Sequence, residues 1–320
     1  MRIAIVGDVH YAPIPDNRID DYINVCLDKI TQIANYCNHV IFLGDIFSTP
    51  KVDEKYLIPL IDKLAELKEQ GVKFHTIVGN HDVYNEMESR LNECSLGVLY
   101  KSRLMDVILP DRPIEITDDN KRYKFNTVPV RYRDAIEYIK DKHYDDNDIL
   151  LIHHEYETGI NKFTYADLKG LRCKNIFFGH DHCPLPQGRI IYPEFTVYRC
   201  GSLMRNIAME YNFIRQVYYF IIDTEEPDGK WIYCKNINQQ PANIIFKEEK
   251  YIRQDYNRKQ FNKAMDEYIE KYKQKIQEHH EGKQTKNKLL MSDVLKDLNT
   301  PDYDIDLIKK KYEIIGEKFE

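Results

Sequence analysis

Five short segments of the sequence are rich in side chains that bind metal ions. In chain order they are Asp8-Val9-His10, Gly44-Asp45, Gly79-Asn80-His81-Asp82, His153-His154 and Gly179-His180-Asp181-His182. Carboxylate, amide and imidazole groups together suit Mn(II), Fe(II), Zn(II) or Co(II) better than Mg(II) or Ca(II), which prefer oxygen ligands alone. Two such ions roughly 3.5 to 4 Å apart can clamp a phosphate and activate a bridging water for attack on phosphorus. The segments therefore favour two-metal phosphoester chemistry, with Asp45 as the candidate bridging carboxylate.

The combination of the segments carries this interpretation. A lone Asp-x-His or Gly-Asn-His is more often a turn or a hydrogen-bonded core histidine than part of a metal site. All five segments occur in one chain, in order, and each directly follows a predicted strand. This makes coincidence a poor explanation for the set.

The strands that must position these side chains are short, apolar and β-branched. They are predicted at 3–6, 40–43, 73–78, 149–152 and 175–178. Apolar residues three or four apart at 19–34 and 57–67 predict helices that pack one face on a sheet. Alternating strands and helices indicate an α/β fold. Because ligands bind at the carboxyl ends of strands in an open α/β sheet, we expect the five segments to converge on one crevice.

The remainder of the chain divides at about residue 245. Alternating apolar residues at 217–221, a turn at Asp228-Gly229 and a further run at 231–233 predict a β-hairpin. Beyond it the sequence is rich in Lys, Glu, Gln and Tyr, with apolar residues at helical spacing. We predict a metal-binding domain at 1–245 and a helical C-terminal region at 246–320, which either caps the site, docks a partner or packs on the core.

Charge and cysteine content exclude several classes of protein. The formal net charge of −6 disfavours a protein that grips nucleic acid unaided, although two divalent ions would supply positive charge where a phosphate binds. Seven scattered cysteines without a Cys-x-x-Cys pair argue against a disulfide framework and a zinc ribbon. The apolar run after Met1 is too short for a signal peptide or a membrane span. We expect a cytoplasmic protein that does not enter a membrane.

Taken together, the five segments resemble the motifs of the calcineurin-like metallophosphoesterase superfamily over about residues 1–220. The resemblance implies a metallophosphoesterase β-sandwich flanked by helices. It also implies two metal ions, one bound by Asp8, His10, Asp45 and His182 and the other by Asp45, Asn80, His153 and His180. His81 would then face the substrate, where it stabilises the transition state or protonates the leaving oxygen.

The doublet His153-His154 leaves two possibilities for one of these ligands. If the predicted strand at 149–152 runs straight into the site, the first histidine after it is the ligand, as in the family's usual pattern. His154 then points away or supports the ligands from behind. A slip of one residue would exchange the two side chains, so His153 is the preferred ligand and His154 is the alternative.

Within the superfamily, the chain is most similar to the nuclease subunit of SbcCD-type DNA repair complexes and its phage relatives. The similarity rests on Gly44-Asp45-Ile46-Phe47 and on residues 198–205, Tyr-Arg-Cys-Gly-Ser-Leu-Met-Arg, which resemble the family's Tyr-x-Pro-Gly-Ser-Leu-x-Arg segment. It implies a DNA exonuclease and endonuclease of repair or recombination that uses Mn(II), with Fe(II), Zn(II) or Co(II) as alternatives. It also implies an SbcC-type coiled-coil ABC ATPase as partner, and a homodimer is a further expectation.

Substrate recognition is less well defined by the sequence. Arg90, Arg131, Arg133 and Arg205 are candidate phosphate contacts because they lie in or near predicted active-site loops, and Arg205 is preferred because it follows the Gly201-Ser202 turn. The alternative function is a small-molecule phosphodiesterase or a protein phosphatase, since specificity lies in the groove around the metals. A long open groove would favour DNA, and a closed pocket would favour a nucleotide. A scaffold without catalysis should have lost ligands, and none of the expected positions is lost.

Overall fold

The fold is given by a computed structural model, which describes residues 1–118, 121–159, 161–206, 212, 215–226, 232–238 and 240–246. The strands are β1 (Arg2–Val6), β2 (His39–Phe42), β3 (Lys73–Ile77), β4 (Asp106–Ile108), β5 (Ile114–Asp118), β6 (Lys121–Thr127), β7 (Asp148–Ile152), β8 (Glu155–Tyr156), β9 (Lys162–Phe163), β10 (Asn175–Phe178), β11 (Arg189–Ile191), β12 (Thr196–Tyr198), β13 (Tyr218–Asp223) and β14 (Ile232–Asn236). The α-helices are α1 (Tyr22–Ala34), α2 (Glu54–Glu69), α3 (Ser95–Lys101), α4 (Tyr132–Asp141), α5 (Tyr165–Leu168) and α6 (Ala242–Ile245). The predicted helices beyond Phe246 lie outside the described residues, so the division at 245 stays a prediction.

The first sheet has the strand order β14-β13-β1-β2-β3-β4. Strands β1 to β4 are parallel, and α1 and α2 are the helices that connect β1 to β2 and β2 to β3. The predicted hairpin supplies the antiparallel strands β13 and β14 at one edge, where β13 pairs with β1. The two hairpin strands are therefore confirmed, while their turn at 228–229 lies outside the described residues.

The second sheet has the order β11-β12-β10-β7-β6-β5. Its central strands β6, β7, β10 and β12 are parallel, and the antiparallel strands β5 and β11 form its edges. The predicted strands at 149–152 and 175–178 are β7 and β10, so they belong to this sheet rather than to the sheet of β1. The five strands that precede the candidate ligands are thus divided between two sheets.

The two sheets pack face to face, and helices cover their outer faces. Side chains alternate along each strand with a period of two, so Ile3 and Ile5 of β1 enter the core between the sheets, whereas Ala4 and Val6 pack in the core formed with α1 and α2. On the second sheet, Leu151 belongs to the core between the sheets and its neighbours pack with α4 and α5. The predicted β-sandwich flanked by helices is confirmed.

Helix α1 shows how local sequence sets the boundaries of these elements. Asp21 caps its N-terminus by accepting a hydrogen bond from the backbone N–H of Asn24. The N–H of Ile19, which the periodicity assigns to the helix, donates instead to the carbonyl of Ile245 at 3.1 Å. The helix therefore begins at Tyr22, three residues later than predicted.

Two expectations about protein class can be compared with the structure. All seven cysteines are free, as the absence of paired spacing predicted. Among the described residues, no helix combines the length and the apolar composition that crossing a lipid bilayer requires.

Candidate metal centre

The candidate ligands lie in loops that directly follow five parallel strands. Asp8 and His10 follow β1, Asp45 follows β2, Asn80 follows β3, His153 follows β7, and His180 and His182 follow β10. Backbone hydrogen bonds join these loops, since the N–H groups of Val9 and His10 donate to the carbonyl of Asp45 at 3.0 and 2.9 Å. The predicted convergence is therefore observed, but at the shared edge of two sheets.

Each of the two aspartates has one oxygen bonded to the backbone of a neighbouring loop. Oδ1 of Asp8 accepts a hydrogen bond from the N–H of His180 at 3.0 Å, and Oδ1 of Asp45 accepts one from the N–H of His81 at 2.9 Å. These bonds fix both carboxylates and leave each Oδ2 directed at histidine side chains. The carboxylates are thereby oriented before any ligand binds.

The first cluster consists of Asp8, His10 and His182, whose potential ligand atoms all lie within 4.8 Å of one another. The Nε2 atoms of His10 and His182 are 2.9 Å apart. Oδ2 of Asp8 lies 3.5 Å from Nε2 of His182 and 4.0 Å from Nε2 of His10. Three side chains that follow β1 and β10, one strand of each sheet, therefore face a common point.

The second cluster consists of Asp45, His153 and His180, again within 4.8 Å. Oδ1 of Asn80 lies 3.0 Å from both Nε2 of His153 and Nδ1 of His180, so the amide joins this group. Oδ2 of Asp45 lies 3.3 Å from Nε2 of His153 and 3.6 Å from Nε2 of His10. One carboxylate oxygen of Asp45 thus faces both clusters, as a bridging ligand must.

Three of these residues have an unusual backbone conformation. The φ angles of His10, Asp45 and His180 are 51°, 47° and 73°, in the left-handed region that residues other than glycine seldom adopt. Such conformations cost of order 1–3 kcal/mol and persist where the surrounding structure enforces them, often at functional sites. The fold therefore stores strain in the loops that aim the candidate ligands.

A close approach of two loops explains the glycine that precedes Asn80. A Cβ atom on Gly79 would lie 2.1 Å from Oδ1 of Asp45 and 2.3 Å from its backbone N. Only glycine allows the loop after β3 to lie this close to Asp45. A side chain at this position would therefore displace the candidate bridging carboxylate.

A second layer of hydrogen bonds orients the ligands. Nδ1–H of His153 donates to the carbonyl of Leu43 at 2.6 Å, which turns Nε2 toward the second cluster. The buried carboxylate of Asp82 accepts from the N–H groups of Phe47 and Gly79 at 3.2 and 3.0 Å. Asp82 therefore ties the loop after β2 to the loop after β3, a role that the sequence analysis did not assign. The sequence signal for this role was the position of Asp82 two residues after Asn80.

Burial and neighbouring charges set the protonation states of the histidines in both clusters. Burial lowers the pKa of His10 to about 4 and that of His180 to about 4, which keeps both imidazoles in the neutral form that binds metal ions. Burial also opposes protonation of His153, but Asp45, Asp8 and the carbonyl of Leu43 together outweigh it and raise the pKa of His153 to about 10.

The donor groups fit two divalent cations. Oδ2 of Asp8 is buried and has no hydrogen-bond partner among the described residues, and a buried carboxylate oxygen without a partner is unfavourable unless a cation or donor meets it. Two carboxylates, an amide and four imidazoles converge there, and this donor set matches Mn(II), Fe(II), Zn(II) or Co(II). The identity of the metal stays a prediction.

The two histidines of the doublet have separate environments. His153 belongs to the second cluster, whereas Nε2–H of His154 donates to the carbonyl of Pro129 at 3.0 Å. The ring of His154 packs on Phe163 and Tyr132, with centroids 5.6 and 5.8 Å away. His154 therefore faces the core behind the site, and the structure brings only His153 to the other ligands.

His81 lies at the accessible side of the centre. Its side chain is exposed, and its ring centroid is 5.2 Å from that of His10. Nδ1–H donates to the carbonyl of Ser48 at 3.0 Å, which leaves Nε2 available to a substrate. This position is compatible with the predicted role of His81, which stays a prediction.

The four candidate arginines have different environments. Arg90 pairs with Glu93, with Nε 3.0 Å from Oε2, and Arg133 lies 3.7 Å from Glu137. Arg131 is exposed and donates to the carbonyl of Asn85 at 3.4 Å. Arg131 and Arg133 are exposed and Arg90 is half-buried, and all three phosphate contacts stay predictions.

Arg205, the preferred phosphate contact, is instead buried. Its guanidinium donates to the carbonyls of Gln240 and Arg215 at 3.2 and 2.9 Å, and only 6% of the residue is exposed. These bonds give Arg205 a structural role, and the geometry does not support a contact with substrate. Residue type and position after a turn were visible in the sequence, but the direction of the side chain was not.

Comparison with known proteins identifies a family whose sequence model matches this chain. The family model described as calcineurin-like phosphoesterase matches residues 1–184, more than half of the 320 residues, and this stretch contains every candidate metal ligand. Protein 244L of Invertebrate iridescent virus 6, which is named as a phosphoesterase, is 24% identical over 207 residues, 61% of this chain and 70% of that protein.

Solved structures show looser similarity. TT1561 of Thermus thermophilus superposes with a TM-score of 0.46 and 12% identity, over 74% of this chain and 99% of that one. GAP50, described as the anchor in the inner membrane complex of Plasmodium, superposes with a TM-score of 0.41 and 15% identity, over 76% of this chain and 90% of that one. Similarity at these TM-scores and sequence identities does not indicate a function.

Proposed function

The chain belongs to the calcineurin-like phosphoesterase family, and we propose that it is a two-metal phosphodiesterase of the SbcD type that cleaves DNA. The observation that carries the two-metal part is the position of Asp45. Its Oδ2 lies 3.6 Å from Nε2 of His10 in one cluster and 3.3 Å from Nε2 of His153 in the other. Two separate groups of donors that share one carboxylate suit a pair of cations better than a single ion.

The residues of the centre divide into cation ligands and one proton donor. Two divalent cations, Mn(II) in this proposal, would be held by the first cluster with Asp45 and by the second cluster with Asn80, and when bound they supply the charge that orients a phosphate and activates water. In hydrolysis the water loses a proton to the solvent, its oxygen forms a bond to phosphorus, and the bond from phosphorus to the leaving oxygen breaks. His81 in its protonated form gives that oxygen a proton from Nε2, while Nδ1 stays bonded to Ser48.

The segment at 198–205 supports a DNA substrate, because it carries the resemblance to SbcD-type nucleases and lies against the candidate ligands. The N–H of Leu203 donates to the carbonyl of Asp8 at 2.8 Å, and the N–H of Ser202 donates to the carbonyl of His182 at 3.3 Å. The centre is also accessible from outside, since His81 is exposed and Asn80 is half-buried. An accessible centre suits a long polymer.

A partner protein forms part of the proposal. The net charge is −6, and Arg90 is already paired with Glu93, so the chain offers little electrostatic attraction to a nucleic acid. We infer that an SbcC-type ABC ATPase supplies DNA binding and presents the strand to the metal centre. A homodimer that places two centres on one DNA end is the accompanying expectation.

The acidic charge also favours a second candidate, a hydrolase of small phosphodiesters or of phosphoproteins. Such an enzyme would use the same ligands and His81 and would need no basic surface for a polymer. The two candidates differ in what the isolated chain cleaves.

The test measures Mn(II)-dependent cleavage of linear double-stranded and single-stranded DNA, with bis-p-nitrophenyl phosphate in parallel. Asn80→Ala should abolish cleavage, His81→Ala should slow it by about 10²- to 10⁴-fold, and His143→Ala, a change at an exposed histidine after α4, should not alter it. Cleavage of DNA that both active-site changes impair in this way supports the nuclease. Hydrolysis of the small diester with intact DNA excludes a nuclease that acts alone, and addition of a cognate ATPase then decides between the remaining candidates.

A further inference from the structure

A short stretch of backbone after β12 lies directly on the first cluster. We call residues 201–205 the strip. The N–H of Leu203 donates to the carbonyl of Asp8 at 2.8 Å, and the N–H of Ser202 donates to that of His182 at 3.3 Å. The contact is close, since a Cβ atom on Gly7 would lie 1.9 Å from the carbonyl oxygen of Gly201. Any movement of the strip would therefore move the backbone of two candidate ligands.

The carbonyls of the strip accept hydrogen bonds from the buried basic side chains of Lys29 and Arg215. Arg215 donates from Nη1 to the carbonyl of Ser202 at 2.8 Å and from Nη2 to that of Met204 at 2.8 Å. Lys29 of α1 donates to the carbonyl of Leu203 at 2.9 Å. Basic side chains thus bond the carbonyls of three successive residues, and the N–H groups of Ser202 and Leu203 bond the backbone of His182 and Asp8.

Burial of a basic side chain is unfavourable unless hydrogen bonds or opposite charges compensate for the loss of water. Lysine is almost never fully buried, yet only 4% of Lys29 is exposed. The position lies on the apolar face of α1, three residues after Cys26 and four before Ile33, both fully buried, where methionine or leucine would fill the space without desolvating a charge. What the ammonium adds at this position is its hydrogen bond to the strip.

We propose that Lys29 and Arg215 are positioning residues that hold the strip against Asp8 and His182 and so set the geometry of the first cluster for its cation. The inference rests on the proposed function, because it requires that the centre binds two cations. Neither residue touches a reacting group. They act through the backbone of the strip, which is why the sequence analysis did not find them.

The effect should be greatest in the first cluster, although the hydrogen bond from the N–H of His180 to Oδ1 of Asp8 also links Asp8 to the second cluster. The second cluster is oriented by other contacts, namely the bond from His153 to the carbonyl of Leu43 and the amide of Asn80. The strip bonds to the backbone of Asp8 and His182, both in the first cluster. Loss of the charged donors should therefore weaken one of two cation sites.

The experiment is a calorimetric titration of the full chain with Mn(II). We expect wild type to bind two ions, and Lys29→Met, which keeps the length of the side chain and removes its donor, to lose about tenfold or more in affinity at one site, as changes in residues behind metal ligands do. The matched control is Lys68→Met, which removes another lysine bond to a backbone carbonyl, that of Arg103 on the surface. This control should bind both ions as wild type does.

A double-mutant comparison identifies the affected site. In a His182→Ala background, which removes the first cluster, Lys29→Met should cause no further loss of Mn(II) affinity. In a His153→Ala background, which removes the second, the full loss should persist. An equal loss in both backgrounds would mean general destabilisation and would overturn the proposal.

Ser202→Ala provides a milder variant if Lys29→Met does not unfold cooperatively. This change removes the hydroxyl that accepts from Arg215 at 2.9 Å and donates to the carbonyl of Met204 at 2.7 Å, and it is judged by the same titration. Unchanged affinity at both sites in the folded variants overturns the positioning role and leaves the proposed function intact. A wild type that binds no Mn(II) instead rejects the proposed function itself.

Discussion

At the scale of single residues, the candidate metal ligands and His81 differ in how the fold holds them. The candidate ligands His10, Asp45 and His180 all have left-handed backbone conformations, whereas His81 reaches the site from an exposed position. A strained ligand is held by its surroundings, and an exposed one is free to meet a substrate. Substitutions should therefore fall into two functional classes.

The histidine doublet provides the first prediction. His153→Ala removes a group that faces Asp45 and Asn80, so we expect loss of Mn(II) from the second cluster and loss of hydrolysis. His154→Ala removes a core side chain that bonds to Pro129, so we expect a lower free energy of unfolding, by about 1–3 kcal/mol, with both ions still bound. Calorimetric Mn(II) titration and urea unfolding check both. Retention of two ions by His153→Ala would contradict the assignment.

His81 provides the second prediction. His81→Ala should lower kcat for bis-p-nitrophenyl phosphate by about 10²- to 10⁴-fold, the usual contribution of a proton donor, while the number of bound Mn(II) ions stays the same. The matched control is His143→Ala, which should leave kcat unchanged. Should His81→Ala release one of the ions, the residue would be a ligand and not a proton donor.

The ligand types and their order were predictable from the sequence because each candidate directly follows a strand. The left-handed backbone of Asp45 was not, since it occurs where Gly79, distant in the chain, lies in close contact with this residue. Arg205 shows the same limit: a surface position after a turn and a buried position after a turn have the same local sequence. Its hydrogen bonds to Gln240 and Arg215 depend on contacts distant in the chain.

At the scale of elements, the strands were predictable and their distribution between two sheets was not. The strands β1 and β7 are both short apolar runs that are buried on both faces. Nothing in either run states which neighbour it pairs with, because pairing depends on the helices and turns between them. The candidate ligands nevertheless lie at the carboxyl ends of the strands, since both sheets present those ends at the same edge.

The loop after β3 gives the third prediction. Gly79→Ala places a methyl group where Oδ1 of Asp45 lies 2.1 Å away, so we expect Mn(II) affinity to fall by at least tenfold. Gly71→Ala is the control, because Gly71 has a φ of +93° but no neighbour among the described residues within 4 Å of an added Cβ. It should lower stability by about 1 kcal/mol and leave Mn(II) binding unchanged. Equal effects of the two changes on Mn(II) binding would refute the steric explanation.

Helix α1 gives the fourth prediction, which concerns pH. Burial, with Arg215, Arg18 and Arg205 nearby, lowers the pKa of Lys29 to about 7, whereas in the unfolded chain it is about 10.4. Below pH 7 both states are protonated and the unfavourable burial of charge is present in full. Above pH 7 the folded state releases the proton first, so stability rises with pH, by up to about 1.4 kcal/mol per unit.

Urea unfolding of wild type and Lys29→Met between pH 6 and pH 9 checks this prediction. The free energy of unfolding of wild type should rise relative to that of the variant above pH 7 and stay parallel to it below. A difference that is constant over the whole range would show that Lys29 keeps its proton when folded.

At the scale of the whole molecule, the centre joins the two sheets. The carboxylates come from loops of the first sheet, and His153, His180 and His182 come from loops of the second. Bound cations should therefore oppose separation of the sheets, and ligands that bind only the folded state raise its stability by mass action.

The fifth prediction follows from this linkage. Mn(II) at about a hundred times its Kd should add about 2.7 kcal/mol to the free energy of unfolding for each site, and the midpoint of thermal unfolding should rise. Asp45→Asn preserves the shape of the side chain but removes the charge that faces both clusters, so most of this rise should disappear. An equal rise in Asp45→Asn and wild type would show that Mn(II) stabilises the protein elsewhere.

The distance in sequence between Asp8 and the strip also has a consequence during synthesis. The carbonyl of Asp8 is bonded to Leu203, and the strip is held by Arg215. A nascent chain that has emerged only as far as β7 has both aspartates but lacks His180, His182 and the strip. If the chain binds metal ions as proposed, we expect its first cluster to assemble only after translation has passed residue 215.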